Sequence, residues 1–249
     1  MGNMFDLTGK KALVTGVGSP IGLGRAMAQG LREFGAEVVI LSRGAGVFDI
    51  AKEDGHLAVQ ADLTNRADLK RGFDEAVEKL GTLDILINNH ATGKRQEALT
   101  FPMDAWDLIF ETNITSVFQL CQLAGSLMIP KGYGKIINMA SMSTFVGIAE
   151  TSAYTASKGA IGQLTKVLAS EWSKHGVNVN AIAPGLVETQ GTKILKTDAA
   201  RREFFFNRIP CGHFGKAEDM KGAAVYLASH ASDYVHGAII PVDGGWLAR

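Results

Sequence analysis

Tyr154 and Lys158 stand four residues apart in the run Ser152-Ala153-Tyr154-Thr155-Ala156-Ser157-Lys158. On a helix they would share a face, one turn apart. A free tyrosine hydroxyl titrates near pH ~10, too high for proton transfer at neutral pH. A cation held beside it favours the phenolate and lowers that pKa. The pair can therefore act as a general acid/base with its own tuning charge. The same spacing also suits the start of an amphipathic helix with a solvated lysine, so the rest of the chain must decide.

Seven short apolar runs could position such a pair. They cover residues 11–15, 37–41, 57–61, 84–87, 135–139, 177–182 and 238–241. Between most of them apolar residues recur at helical spacing: Met27, Leu31 and Phe34; Leu69, Phe73, Val77 and Leu80; a long helix over about 103–126; and Ile161, Thr165, Leu168 and Trp172 on the helix of Tyr154, which runs to about residue 174. A further helix is expected at 217–229. This alternation predicts an α/β fold, a Rossmann-type doubly wound parallel sheet of about seven strands with helices on both faces. Residues 1–249 read as a single domain, with no linker, repeat or low-complexity run. Residues 189–207 are polar and basic, then aromatic at Phe204-Phe205-Phe206, and read as short helices outside the sheet. An excursion over about 189–215 could form a lid over the substrate.

Composition narrows the function. The 249 residues are 46% hydrophobic and 20% charged, with 25 basic and 25 acidic side chains. That balance argues against a nucleic-acid surface and a polybasic membrane anchor. Cys121 and Cys211 make neither a disulfide framework nor a metal cluster. The first residues lack the pattern of a signal peptide, and the charge-free stretch from Thr112 to Pro130 is broken by polar residues. A soluble cytoplasmic protein with a small-molecule substrate and no metal is expected.

The glycine-rich stretch Gly16-Val17-Gly18-Ser19-Pro20-Ile21-Gly22-Leu23-Gly24 follows the first strand and opens a helix. That is the context of a dinucleotide loop, in which glycines admit a pyrophosphate close to the backbone and the helix N-terminus favours its charge. At the end of the second strand an acidic residue would take the ribose hydroxyls of NAD, while an arginine would suit the extra phosphate of NADP. The chain has Leu41-Ser42-Arg43-Gly44 there. Arg43 fits a 2′-phosphate, which leans toward NADP, and equally fits a solvated strand end.

These pieces, with Asp62-Leu63, Asn88-Asn89, Asn113, Ser141, Pro184-Gly185, Thr189 and Asp243-Gly244-Gly245, resemble the short-chain dehydrogenase/reductase family over essentially the whole chain. The serine thirteen residues before Tyr154 is the most specific element. The resemblance implies an oxidoreductase that interconverts a secondary alcohol and a ketone. It implies that Tyr154 is the general acid/base, that Lys158 lowers its pKa and binds the nicotinamide ribose, that Ser141 bonds the substrate oxygen, and that Asn113 holds a water linking Lys158 to solvent. It places Asp62 and Leu63 by the adenine, Asn89 near its ribose, and Pro184, Gly185 and Thr189 by the nicotinamide. Gly16, Gly18, Ser19, Ile21, Gly22, Leu23, Ser42, Arg43 and Val187 complete the expected cofactor contacts. It also implies a homo-oligomer, usually a tetramer.

Two departures stand out. Five residues, including Pro20, separate Gly16 from Gly22, a longer loop than the family pattern, which makes Gly18 and Ser19 weaker candidates. After Asn88-Asn89 comes His90 rather than alanine, read here as a bulky surface substitution in preference to a cofactor contact. His56, His175, His213, His230 and His236 are scattered and read as surface or loop residues. Arg95 could hold a substrate carboxylate, although a solvated basic turn fits better.

Residues 136–142, 181–185, 232–237 and 243–249 further resemble the sugar-acid branch of the family, which acts on gluconate and 2-deoxy-gluconate types and is usually NAD-linked. A sugar acid or polyol is therefore the expected substrate. A reductase of 3-oxoacyl thioesters on an acyl carrier protein is the alternative. A nucleotide-binding regulator without catalysis is remote, because Asn113, Ser141, Tyr154 and Lys158 are all present.

Overall fold

The computed structural model describes residues 2–189, 192 and 198–248. Seven strands form one sheet: β1 Lys11–Thr15, β2 Glu37–Ser42, β3 Leu57–Gln60, β4 Ile85–Asn88, β5 Gly134–Met139, β6 Val177–Pro184 and β7 Ile239–Val242. Their order is β3-β2-β1-β4-β5-β6-β7, and every pairing is parallel. This is the expected doubly wound sheet, and its order reverses between β1 and β4.

Alternation along each strand builds two cores. Leu13, Val39 and Leu86 point to one face, and Ala12, Val14, Val38, Ile40, Ile85 and Ile87 to the other. The first face is covered by α3 Arg66–Leu80, α5 Ser116–Lys131 and α6 Ser152–Trp172. The second is covered by α1 Leu23–Glu33, α2 Gly46–Asp54 and α8 Lys221–Ala228. Helix starts have local causes: the Asn65 side chain accepts from the amides of Ala67 and Asp68 to open α3.

The sequence reading omitted α2. Its nine residues bury only Val47, Ile50 and Ala51, a pattern too short to stand out, yet a parallel crossover from β2 to β3 demands such an element. The last helix is also shorter than expected, because residues 217–220 form a 3₁₀ turn before α8.

The expected long helix is α4 Met103–Phe110 followed by α5, joined without a break by a π-turn at Glu111–Thr115. A π-turn inserts an extra residue and re-aims the side chains it carries. Here it turns Asn113 inward, where the residue is 1% exposed. Of the expected excursion, α7 Ala199–Phe206 is described; Asp198 opens it by accepting from the Arg201 amide at 2.9 Å. Residues 190–191 and 193–197 lie outside the described residues. A third apolar cluster, Met142, Phe205, Ile209, Phe214 and Trp246, joins α7 to the loop after β5 and to the C-terminal segment. Phe205 is buried, whereas Phe204 and Phe206 are exposed.

Candidate active site

Because all strands run the same way, their carboxyl ends share one edge. That edge gathers the glycine loop after β1, Ser42 and Arg43 after β2, Asn89 after β4, Ser141 after β5 and Gly185 after β6. A crevice at the β1/β4 reversal is where such sheets bind ligands.

Close packing explains several glycines of the loop. Gly16 adopts φ +73°, and a Cβ there would lie 2.6 Å from the His90 backbone. A Cβ on Gly24 would lie 2.5 Å from Asn89 Nδ2. The Asn89 amide in turn donates to the carbonyls of Thr15 and Gly16, both at 3.1 Å. Gly16 and Gly24 therefore let β4 clasp the loop. Inside the lengthened part, Ser19 accepts from the amide of Gly22 and, through its hydroxyl, from that of Ile21. Arg25, paired with Asp54, reaches the Pro20 carbonyl at 3.4 Å. The helix α1 starts at Gly22 with no side chain capping it, so its first amides are left for an anion. An uncapped helix start behind a glycine loop fits a dinucleotide pyrophosphate.

At the end of β2, a Cβ on Gly18 would approach Ser42 Oγ to 2.6 Å, so loop and strand end meet there. Arg43 is exposed. The amide and hydroxyl of Thr64 hold the Asp62 carboxyl below its ordinary pKa, and the charge of Arg43 contributes. Leu63 is buried in the core. On the other side, Gly185 packs on Asp243, where a Cβ would lie 2.7 Å from its Cα. Val187 is buried, and its carbonyl and the Thr189 amide both bond the Thr192 hydroxyl, at 2.7 and 2.9 Å.

Ser141, Tyr154 and Lys158 lie together. Ser141 Oγ accepts from the Ser143 amide at 3.1 Å, which leaves its own proton to donate outward. Lys158 Nζ lies 5.7 Å from the centre of the Tyr154 ring and donates to the Met139 carbonyl at 2.6 Å. Burial lowers the Lys158 pKa to about 8. Burial also pushes the Tyr154 pKa above its ordinary value, while the Ser141 hydroxyl pulls it down. Desolvation by the chain itself thus dominates at Tyr154, and the Ser141 hydroxyl counters it.

Asn113 Oδ1 accepts from the Thr92 amide at 2.8 Å, and its Nδ2 donates to the Thr92 carbonyl and to Ser157 Oγ, both at 2.9 Å. Both amide protons are spent, so one Oδ1 lone pair is what the side chain keeps for a water. Ser157 sits on the turn between Tyr154 and Lys158, so Asn113 clamps their helix to the segment after β4.

His90 is not a surface substitution. Its Nδ1 lies 2.7 Å from Thr15 Oγ1 and its Nε2 2.8 Å from Ser116 Oγ. Burial, with the Lys158 charge second, lowers its pKa to about 3. His56 is not a surface residue either. It is buried, and neither ring nitrogen has a partner among the described residues. Thr15, Thr92, Ser116 and Ser157 were not foreseen, since each becomes meaningful only through a partner distant in sequence. The Thr-Gly start of the loop was the one available signal for Thr15.

A family model described as Enoyl-(Acyl carrier protein) reductase matches residues 16–247. The chain belongs to the short-chain dehydrogenase/reductase family. It is 43% identical to the 2-dehydro-3-deoxy-D-gluconate 5-dehydrogenase of Dickeya dadantii, with 99% of each chain covered. A solved structure from Agrobacterium tumefaciens, provisionally described as a 2-deoxy-D-gluconate 3-dehydrogenase with bound NADP, matches at TM-score 0.91 and 44% identity over 100% of both chains. A gluconate 5-dehydrogenase from Burkholderia cenocepacia in complex with NADP and tartrate matches at TM-score 0.92 and 35% identity, covering 99% of this chain and 98% of that one. The protein is an NAD(P)-dependent oxidoreductase, and these relatives favour the sugar-acid reading over the acyl-carrier-protein reading. No helix among the described residues is long and apolar enough to cross a membrane.

Proposed function

We propose that the protein interconverts a secondary alcohol and a ketone on a sugar acid, of gluconate or 2-dehydro-3-deoxy-gluconate type. The observation that carries this reading is the meeting of Ser141, Tyr154 and Lys158 at the sheet edge beside an uncapped helix start, in a chain whose relatives bear sugar-acid names. NAD(P), when bound, supplies or removes the hydride.

The chain's own residues handle position and the proton. Gly18, Ser19, Ile21, Gly22 and Leu23 would cradle the pyrophosphate. Ser42 and Arg43 would meet the adenosine ribose or its 2′-phosphate, with Asp62, Leu63 and Asn89 bordering the adenosine. Pro184, Gly185, Val187 and Thr189 would border the nicotinamide, and Lys158 its ribose. Ser141 donates to the substrate oxygen. Tyr154 gives that oxygen a proton in reduction and takes one in oxidation. Its raised pKa suits the acid role, and an added positive charge or hydrogen bond to the phenolate is needed for the base role. Arg43 favours NADP. Arg95 lies 5.9 Å from the Phe205 ring, where it can face a substrate carboxylate. Exposed Leu108, Phe118, Leu127 and Val167 on the α4–α6 layer support a homo-oligomer, a tetramer by family resemblance, and light scattering measures it.

The test is a panel of sugar acids, polyols and acyl thioesters, followed by nicotinamide absorbance with both cofactors. Turnover of a sugar acid is expected, with Tyr154→Phe abolishing it while cofactor still binds. Turnover confined to acyl thioesters, or near-normal activity in Tyr154→Phe, refutes the reading.

A further inference from the structure

A cavity of about 770 Å³ lies between the loop at residues 146–149, α7 and the C-terminal segment. That is the size of a small-molecule site. Its apolar lining includes Ile148, Phe204, Phe205 and Trp246, and its charged lining is Arg201 and Arg208.

Both arginines hold unspent donors. Arg201 gives one hydrogen bond from its terminal nitrogen to Glu150 at 3.1 Å, while its Nε is buried with no partner among the described residues. Arg208 stacks over the Phe204 ring at 4.3 Å, and no carboxylate pairs with it among the described residues. Two guanidinium groups beside an apolar wall match a carboxylate carried on a carbon skeleton.

Glu150 is the unusual member. It is the one non-glycine residue at positive φ among the described residues, at φ 66°. Residues with a Cβ hold that conformation only where their surroundings impose it. Its carbonyl accepts from the Gln96 amide at 3.0 Å, and its carboxylate meets Arg201 across the loop. The contact is single rather than bidentate, and both side chains are partly exposed.

The cavity adjoins the chemistry. Phe205 packs in one cluster with Met142, the neighbour of Ser141. Its ring centre lies 5.8 Å from the Arg201 guanidinium and 5.9 Å from that of Arg95. Arg95 follows Gly93, where a Cβ would lie 3.2 Å from the Tyr154 ring.

We propose that this cavity is a carboxylate subsite, in which Arg201 and Arg208 take the acid end of the substrate and Glu150 occupies Arg201 until that carboxylate arrives. The inference rests on the sugar-acid reading. The exchange replaces one carboxylate by another at Arg201, and a neutral polyol brings no charge with which to displace Glu150. The subsite thus selects acids over polyols of the same length.

The experiment is isothermal titration calorimetry of the purified full-length protein with gluconate and with glucitol, reduced cofactor being present to prevent turnover. Arg201→Gln and Arg208→Gln are expected to weaken gluconate roughly tenfold to a hundredfold and to leave glucitol unchanged. Glu150→Gln is expected to tighten gluconate, because it removes the rival carboxylate. A purely structural Glu150–Arg201 link predicts the opposite for Glu150→Gln: weaker binding, alike for both ligands, as in Arg201→Gln. That result overturns the proposal. Should Arg201→Gln fail to fold, as judged by its melting, Arg208→Gln and Glu150→Gln decide alone. Sugar-acid turnover with unchanged gluconate binding in Arg208→Gln and Glu150→Gln defeats the subsite only, whereas absence of sugar-acid turnover in the unaltered protein defeats the functional reading beneath it.

Discussion

Ser116 spends its one hydroxyl proton on the Thr112 carbonyl at 2.6 Å, so at its 2.8 Å contact with His90 it must accept. The His90 proton therefore sits on Nε2, which leaves Nδ1 to accept from Thr15 Oγ1 at 2.7 Å, the shorter of that hydroxyl's two donor contacts, the other being the Ile87 carbonyl at 3.2 Å. A neutral imidazole thus ties β1 to the foot of the π-turn that carries Asn113. His90→Ala is expected to lose about 1–2 kcal/mol, or a Tm fall of roughly 2–8 °C at this chain length. Thermal melting measures it. The acid limb of the activity profile should not move, because a group with a pKa of about 3 stays neutral over the working range.

Lys158 carries a stability cost. Its folded pKa of about 8 lies below the ordinary 10.5, so between these values the unfolded chain binds more protons. Stability from this group is present above pH ~10.5 and is lost as pH falls toward the folded pKa, by about 3 kcal/mol in all. Lys158→Met should therefore unfold at higher denaturant than the parent at pH 7 while losing turnover. The gap should narrow from pH 8 upward. A variant less stable at pH 7 would contradict this.

Among the described residues no carboxylate bonds the Arg43 side chain, whose charge acts on Asp62. Arg43→Ala should weaken NADP binding roughly tenfold to a hundredfold and leave NAD little changed, as read by fluorescence titration of both reduced cofactors. Equal weakening would remove the argument for NADP.

His56 is buried beside Asp54, Arg32 and Arg25, and burial is the main cause of its lowered pKa. Stability from this depressed group is present above the ordinary value of 6.5 and is lost as pH falls toward the folded pKa. His56→Leu should flatten the acid side of the stability profile and leave kcat unchanged, because neither ring nitrogen has a hydrogen-bond partner among the described residues. Denaturant melts between pH 4 and 7 measure it.

The sheet was legible because each strand is a short apolar run closed by a polar or glycine residue, as at Val14-Thr15-Gly16 and Ile87-Asn88-Asn89. Tyr154 and Lys158 were legible through their helical spacing, and Ser141 through the family resemblance. His90 was misread because its partners, Thr15 and Ser116, are 75 and 26 residues away. The π-turn left no periodic signature, since its single extra residue shifts the apolar phase of a helix that is apolar on most sides. Spacing reports the charge neighbouring Tyr154 and says nothing of the desolvation that acts on it.

Gly18 and Ser42 touch where the loop meets the end of β2, with room for a serine hydroxyl only because Gly18 lacks a Cβ. Redesigning the protein for the other nicotinamide cofactor is therefore a problem in two positions at once. A larger acidic residue at 42 would press on the loop that must hold the pyrophosphate, so a gain in ribose recognition would be offset by a displaced cradle. Libraries that vary Ser42 and Arg43 alone will under-sample the solutions; those that also vary the backbone of residues 17–21 will reach them.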